Sequence, residues 1–111
     1  MALNTHHIVP LAIGLLLLAC GSSTLDGTMA EDAGKSPGQR IFDMNCTLCH
    51  GRDGKLGLNG AKDLTASTLT KAEMIARVRL GKGAMMPYKD VLTAKEIDAV
   101  VEHVRALGKA K

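Results

Sequence analysis

The pentapeptide Cys46-Thr47-Leu48-Cys49-His50 constrains this chain more than any other stretch. Two thiols three positions apart fall on one helical turn, and an imidazole follows at once. A redox-active dithiol has the same C-x-x-C spacing, but it belongs to a βαβ context that this sequence lacks. Half a zinc site would need a second Cys or His pair. A disulfide between Cys46 and Cys49 would have no use for His50. The reading that employs all three side chains is C-x-x-C-H, the attachment signature of c-type heme. Each thiol adds across a heme vinyl group to form a thioether, and His50 meets the iron from the proximal side.

The rest of the sequence calls for such a large ligand. Among 111 residues there are one Phe, one Tyr and no Trp, although 46% of the residues are hydrophobic. Aromatic side chains usually supply the largest buried areas of a small core. A short chain without them is marginal unless something else fills its centre. Heme, large, flat and apolar, does so. The three Cys make an odd count, which argues against a disulfide framework. A net charge of only +3 beside so many apolar residues disfavours disorder.

The N-terminus reads as a separate segment. Residues Ile8 to Ala19 (IVPLAIGLLLLA) carry no charge and end at Cys20. This run is shorter than the roughly 20 residues that a helix needs to cross a bilayer. It suits the apolar region of a secretory signal. Leu17-Leu18-Ala19-Cys20 resembles the lipobox of bacterial lipoproteins, in which the signal is cut before a Cys that receives a lipid. The resemblance implies an exported protein, anchored to a membrane through Cys20 and facing the periplasm or the cell exterior. The expected division is a signal peptide over 1–19, a flexible tether over 20–35 and one domain over 36–111. The tether expectation rests on the small, polar, aperiodic stretch from Gly21 to Lys35.

Gly81-Lys82-Gly83-Ala84-Met85-Met86-Pro87-Tyr88 offers a second ligand. A thioether sulfur opposite His suits a low-spin heme and raises its reduction potential. Glycines allow the backbone a tight bend, and Pro87 stiffens it. With this loop and the C-x-x-C-H motif together, Ser36 to Leu107 resembles a class I monoheme cytochrome c. The resemblance implies an all-α fold, a small cytochrome c domain whose helices wrap one covalently bound heme c. It also implies Cys46 and Cys49 as attachment residues and His50 and a Met as the iron ligands. Counting from Gly81 selects Met85, whereas counting back from Pro87 selects Met86; Met85 is favoured.

Helix signals agree with an all-α reading. Ser36-Pro37 starts a helix expected from Gly38 to about Thr47. Thr70-x-x-Glu73 and Thr93-x-x-Glu96 have the form of capping boxes. They open helices from Lys71 to about Leu80 and from Ala94 to about Leu107. Met74, Ile75, Val78 and Leu80 are the apolar members of the former. Ile97, Val100, Val101, Val104 and Leu107 stripe the latter. The family resemblance implies that Gly38 and Phe42 pack against the last helix, and that His103 there replaces an aromatic residue. It also implies that the loop after His50 offers a carbonyl to the imidazole N–H. The loop lacks the Pro of many relatives and has Ala61-Lys62 instead, so the donor of that carbonyl stays open. Leu58 and Leu64 are the expected heme contacts.

Positive charge gathers in the middle of the chain, with Lys55, Lys62, Lys82 and Lys89 near the two loops. Such charge would steer an acidic redox partner, for instance a respiratory reductase, dehydrogenase or terminal oxidase. There is neither a long basic run nor aromatic interleaving for nucleic acid. Electron transfer is therefore the expected function, and the chain is expected not to be an enzyme. A peroxidase-like heme enzyme or a heme sensor is the alternative. The former would need an open iron site, the latter a signalling domain.

Overall fold

The computed structural model describes residues 32–110. The expected signal peptide, Cys20 and most of the expected tether lie outside the described residues. The helices named among the described residues are α1 (Pro37–Asn45), α2 (Thr47–His50), α3 (Lys71–Leu80) and α4 (Ala94–Lys109), with short 3-10 turns at Leu58–Gly60 and Leu64–Ala66. Among the described residues there is no strand, only an isolated bridge between Lys82 and Met85. The fold is all-α, as expected.

Side-chain caps determine where the longer helices begin. The Ser36 hydroxyl accepts the Gln39 N–H at 3.1 Å, and Pro37 takes the first helical position, where its missing N–H costs nothing. Both capping boxes form. Thr70 and Thr93 accept the N–H of Glu73 and Glu96, whose carboxylates accept the Thr N–H in return. Those backbone donors hold both carboxyls below the usual carboxylate range.

α1 crosses α4 at a point that admits no side chain. A Cβ on Gly38 would overlap the Ala99 carbonyl and lie 3.2 Å from the His103 Cβ. One turn on, Phe42 is fully buried, with its ring centroid 5.0 Å from that of His103. His103 thus packs as the expected aromatic substitute. Burial pushes its imidazole below the ordinary histidine range, although Asp43 opposes this, so the neutral form is favoured. Ile41, Phe42 and Val100 form the core cluster, with Leu64, Val78, Leu92, Val104 and Leu107 packed around it.

Leu80 departs from the expected apolar face of α3, being 67% exposed. Six positions after Met74 it has turned off the face that Met74 and Val78 share. At the other end of that helix, Lys71 reaches Asp98 at 2.8 Å and Glu102 at 2.9 Å on α4. These are exposed pairs that orient the helices more than they stabilise them. Lys35, at the expected end of the tether, pairs with Asp43 at 2.9 Å, and its carbonyl accepts from Arg40.

Candidate heme-attachment site

The expected first helix breaks at Cys46, one residue before its expected end. Cys46 (φ −117°, ψ −28°) closes α1 by donating its N–H to the Phe42 carbonyl at 2.9 Å, and it opens α2. Its own carbonyl accepts the N–H of Cys49 at 3.3 Å and of His50 at 3.0 Å. Cys46, Cys49 and His50 therefore share a single tight turn. Both thiols are free and half-buried. Burial, with the charge of Cys49 adding to it, pushes the Cys46 thiol up to about 11. That is the opposite of the depressed thiol of a redox dithiol. Among the described residues no three His, Cys, Asp or Glu side chains converge as metal ligands.

Gly51, with φ at 74°, ends α2 and reverses the chain. The following loop is stitched back: Leu56 N–H donates to the His50 carbonyl at 2.9 Å, and Leu64 N–H to that of Gly54 at 2.9 Å. Between them Leu58–Gly60 makes one 3-10 turn, with Asn59 in the left-handed region at φ 54°. The coil brings the Lys62 carbonyl to 3.1 Å from His50 Nδ1. A carbonyl only accepts, so this bond requires the proton on Nδ1 and leaves Nε2 with the free lone pair. Sequence reasoning expected such a bond but could not name its carbonyl. Of the two Leu expected at the ligand, Leu64 packs against the core cluster, and Leu58 is 44% exposed.

The methionine loop is built as tightly. Gly81 ends α3 at φ 67°. A Cβ there would overlap the Met85 carbonyl and approach the Pro87 nitrogen to 2.9 Å. Lys82 and Met85 exchange both backbone hydrogen bonds, at 3.0 and 3.1 Å. Beyond the loop, Tyr88 N–H donates to Val78 and Lys89 N–H to Arg79, at 3.0 and 3.2 Å, which ties the exit to the end of α3. Met85 is half-buried, and Met86 is 52% exposed. The Tyr88 hydroxyl donates to the Asn45 carbonyl at 2.9 Å, joining this loop to the residue before Cys46. Burial pushes the Tyr88 phenol up, and the nearby Cys46 and Cys49 act in the same direction. That phenol carried no signal in the sequence beyond being the single Tyr.

These residues fit a heme. Two unpaired thiols and a free imidazole nitrogen lie on one turn. Leu48, Leu56, Leu58, Leu80 and Met86, all on or beside the two loops, stay exposed. Exposed large apolar side chains on these segments are what an apolar group bound there would cover.

The model of the family described as "Cytochrome C oxidase, cbb3-type, subunit III" matches residues 33–104. The cbb3-type cytochrome c oxidase subunit CcoP of Rhodobacter capsulatus is 32% identical over 102 residues, which cover 76% of this chain and 33% of that protein. The chain thus spans about a third of the length of this relative. Cytochrome c6 of Nostoc sp. is 35% identical over 109 residues, covering 93% of this chain and 90% of that one. Among solved structures, the KustC0563 c-type cytochrome superposes with a TM-score of 0.57 at 30% identity, covering 63% of this chain and 95% of that chain. With the Cys46–His50 turn, the methionine loop and the α1–α4 crossing all present, the chain belongs to the cytochrome c family, as a domain of the cbb3-type subunit III and cytochrome c6 kind.

Proposed function

We propose that the chain is an electron carrier holding a single heme c through Cys46 and Cys49, with His50 and Met85 as axial ligands. The group, when bound, supplies one-electron chemistry at iron. The chain supplies everything else. Cys46 and Cys49 would hold the group covalently, each S–H adding across a vinyl so that sulfur bonds one carbon and hydrogen the other. His50 presents Nε2, because the Lys62 carbonyl holds the Nδ1 proton at 3.1 Å; this is the observation that carries the reading. Such a bond also raises the basicity of the ligand and prevents the ring from turning. Met85, tied to Lys82 through both backbone groups and half-buried, is favoured as the ligand over the exposed Met86.

His50 and Met85 would together hold the iron and leave it no open site for a substrate, which disfavours the enzyme and sensor readings. The reduced protein is expected to keep its absorbance spectrum under carbon monoxide. A rapid, complete shift to a carbon monoxide adduct points instead to an open iron site.

Lys55, Lys62 and Lys82 are exposed on the loops beside the site and suit an acidic partner. The relatives named as cbb3-type cytochrome c oxidase subunits support a terminal oxidase as that partner. We also propose the expected division of the chain, with residues 1–19 a signal, 20–35 a tether and 36–111 the cytochrome domain. In that scheme the protein is exported and anchored through a lipid on Cys20, facing the periplasm or the cell exterior. The native protein is then expected in the membrane fraction and Cys20→Ala in the soluble one. Mass spectrometry finding an unmodified Cys20 overturns the anchor.

A further inference from the structure

We propose that Tyr88 is a positioning residue that locks the Met85 loop onto the attachment turn, a role that rests on the His50 and Met85 ligation proposed above. The argument begins with a carbonyl. α1 ends at Asn45, and both Cys49 and His50 donate their N–H to Cys46. No backbone amide of α2 therefore donates to the Asn45 carbonyl. Carbonyls at helix ends need a partner from outside the helix. The Tyr88 hydroxyl provides it at 2.9 Å, from 43 positions away.

Tyr88 is itself held from two further directions. Its N–H donates to Val78 at the end of α3, and its carbonyl accepts the N–H of Val91 at 3.0 Å and of Leu92 at 2.9 Å ahead of α4. The loop from Gly81 to Pro87 is closed at its base by these bonds and by Gly81 N–H donating to Arg77 at 2.8 Å. The phenol carries this closed loop onto the residue that precedes the first thioether cysteine. A phenylalanine would fill the same half-buried space but leave the Asn45 carbonyl without its donor.

The consequence concerns the competition for iron. A thioether is a neutral ligand, and an external base that displaces it must first open the loop. Every bond lost on opening protects the Met85 position. Imidazole titration of the oxidised holoprotein, followed by absorbance, measures that protection. One neutral hydrogen bond corresponds to about fivefold in such an equilibrium, so Tyr88→Phe is expected to bind imidazole about fivefold more tightly. Val104→Ala, which trims the core cluster without touching a hydrogen bond of the loop, is expected to bind it as the native protein does.

Because Tyr88 is the one tyrosine, uniform labelling with fluorotyrosine alters this phenol alone. Its hydroxyl is the stronger donor, and at one fixed pH where the phenol stays protonated the labelled protein is expected to bind imidazole more weakly than the unlabelled one. This second measurement stands even if the Tyr88→Phe chain fails to fold. Unchanged affinity with fluorotyrosine, or an equal change in Val104→Ala and Tyr88→Phe, overturns the role of Tyr88 while the sulfur-to-iron band of the native protein still attests its ligands. A native protein without that band overturns the ligand reading and this proposal with it.

Discussion

Replacing Cys46 and Cys49 together by Ala is expected to abolish every trace of heme that survives denaturing electrophoresis. Each single replacement is expected to leave a weaker stained band, since one thioether remains. The reason lies in the geometry of α2, where both thiols and His50 share the turn that closes on the Cys46 carbonyl. No other cysteine among the described residues can take their place. A covalent link holds heme beside His50 at an effective concentration on the order of millimolar, so dilution cannot remove it. Without the link, denaturant is expected to strip the heme completely. Full staining of the double variant ends the covalent reading; loss of heme from the native protein under denaturant does the same.

Met85→Ala is expected to have the largest effect on the iron itself. The near-infrared sulfur-to-iron band of the oxidised protein should vanish while the thioethers stay intact. The reduction potential should fall by a sizeable part of the about 0.8 V range over which axial ligands tune heme. Met86→Ala is expected to keep both band and potential, because Met86 stands 52% exposed while Met85 is tied to Lys82 through both backbone groups. Gly81→Ala tests the same loop without removing a sulfur. Its new Cβ overlaps the Met85 carbonyl and adds a strained φ of 67°, so the band should weaken or disappear. If Met86→Ala removes the band and Met85→Ala does not, the ligand is Met86. If neither matters the sulfur assignment fails, and His103 is poorly placed to replace it, since its ring packs on Phe42.

Much of this architecture was legible from short-range chemistry. Ser36, Thr70 and Thr93 stand where helices begin because a cap satisfies amides only two or three residues away. Gly38 and Phe42 were legible only through the family resemblance. Their partners, Ala99 and His103, lie some sixty positions further along, beyond the reach of any local pattern. Leu80 and Leu64 show the limits of reading apolar residues one at a time. Leu80 is apolar yet turns outward, and Leu64, expected at the ligand, is drawn into the core beside Ile41, Phe42 and Val100.

The sequence by itself determined the all-α class, the helix starts and the pentapeptide that marks the heme. Each depends on groups within a turn or two of one another, and such distances are set by bond geometry. Tertiary structure alone decided which carbonyl stands at His50 and what satisfies the end of α1. The Lys62 carbonyl lies 3.1 Å from Nδ1 at the end of a loop that coils through Asn59. Beside Gly81, whose Cβ position the Met85 carbonyl crowds, Met85 is half-buried and Met86 is 52% exposed. The Tyr88 hydroxyl meets Asn45 across 43 positions. A backbone carbonyl belongs to every residue alike, so no side-chain pattern announces which one will be used. Only the path of the folded chain brings a particular carbonyl to a particular donor.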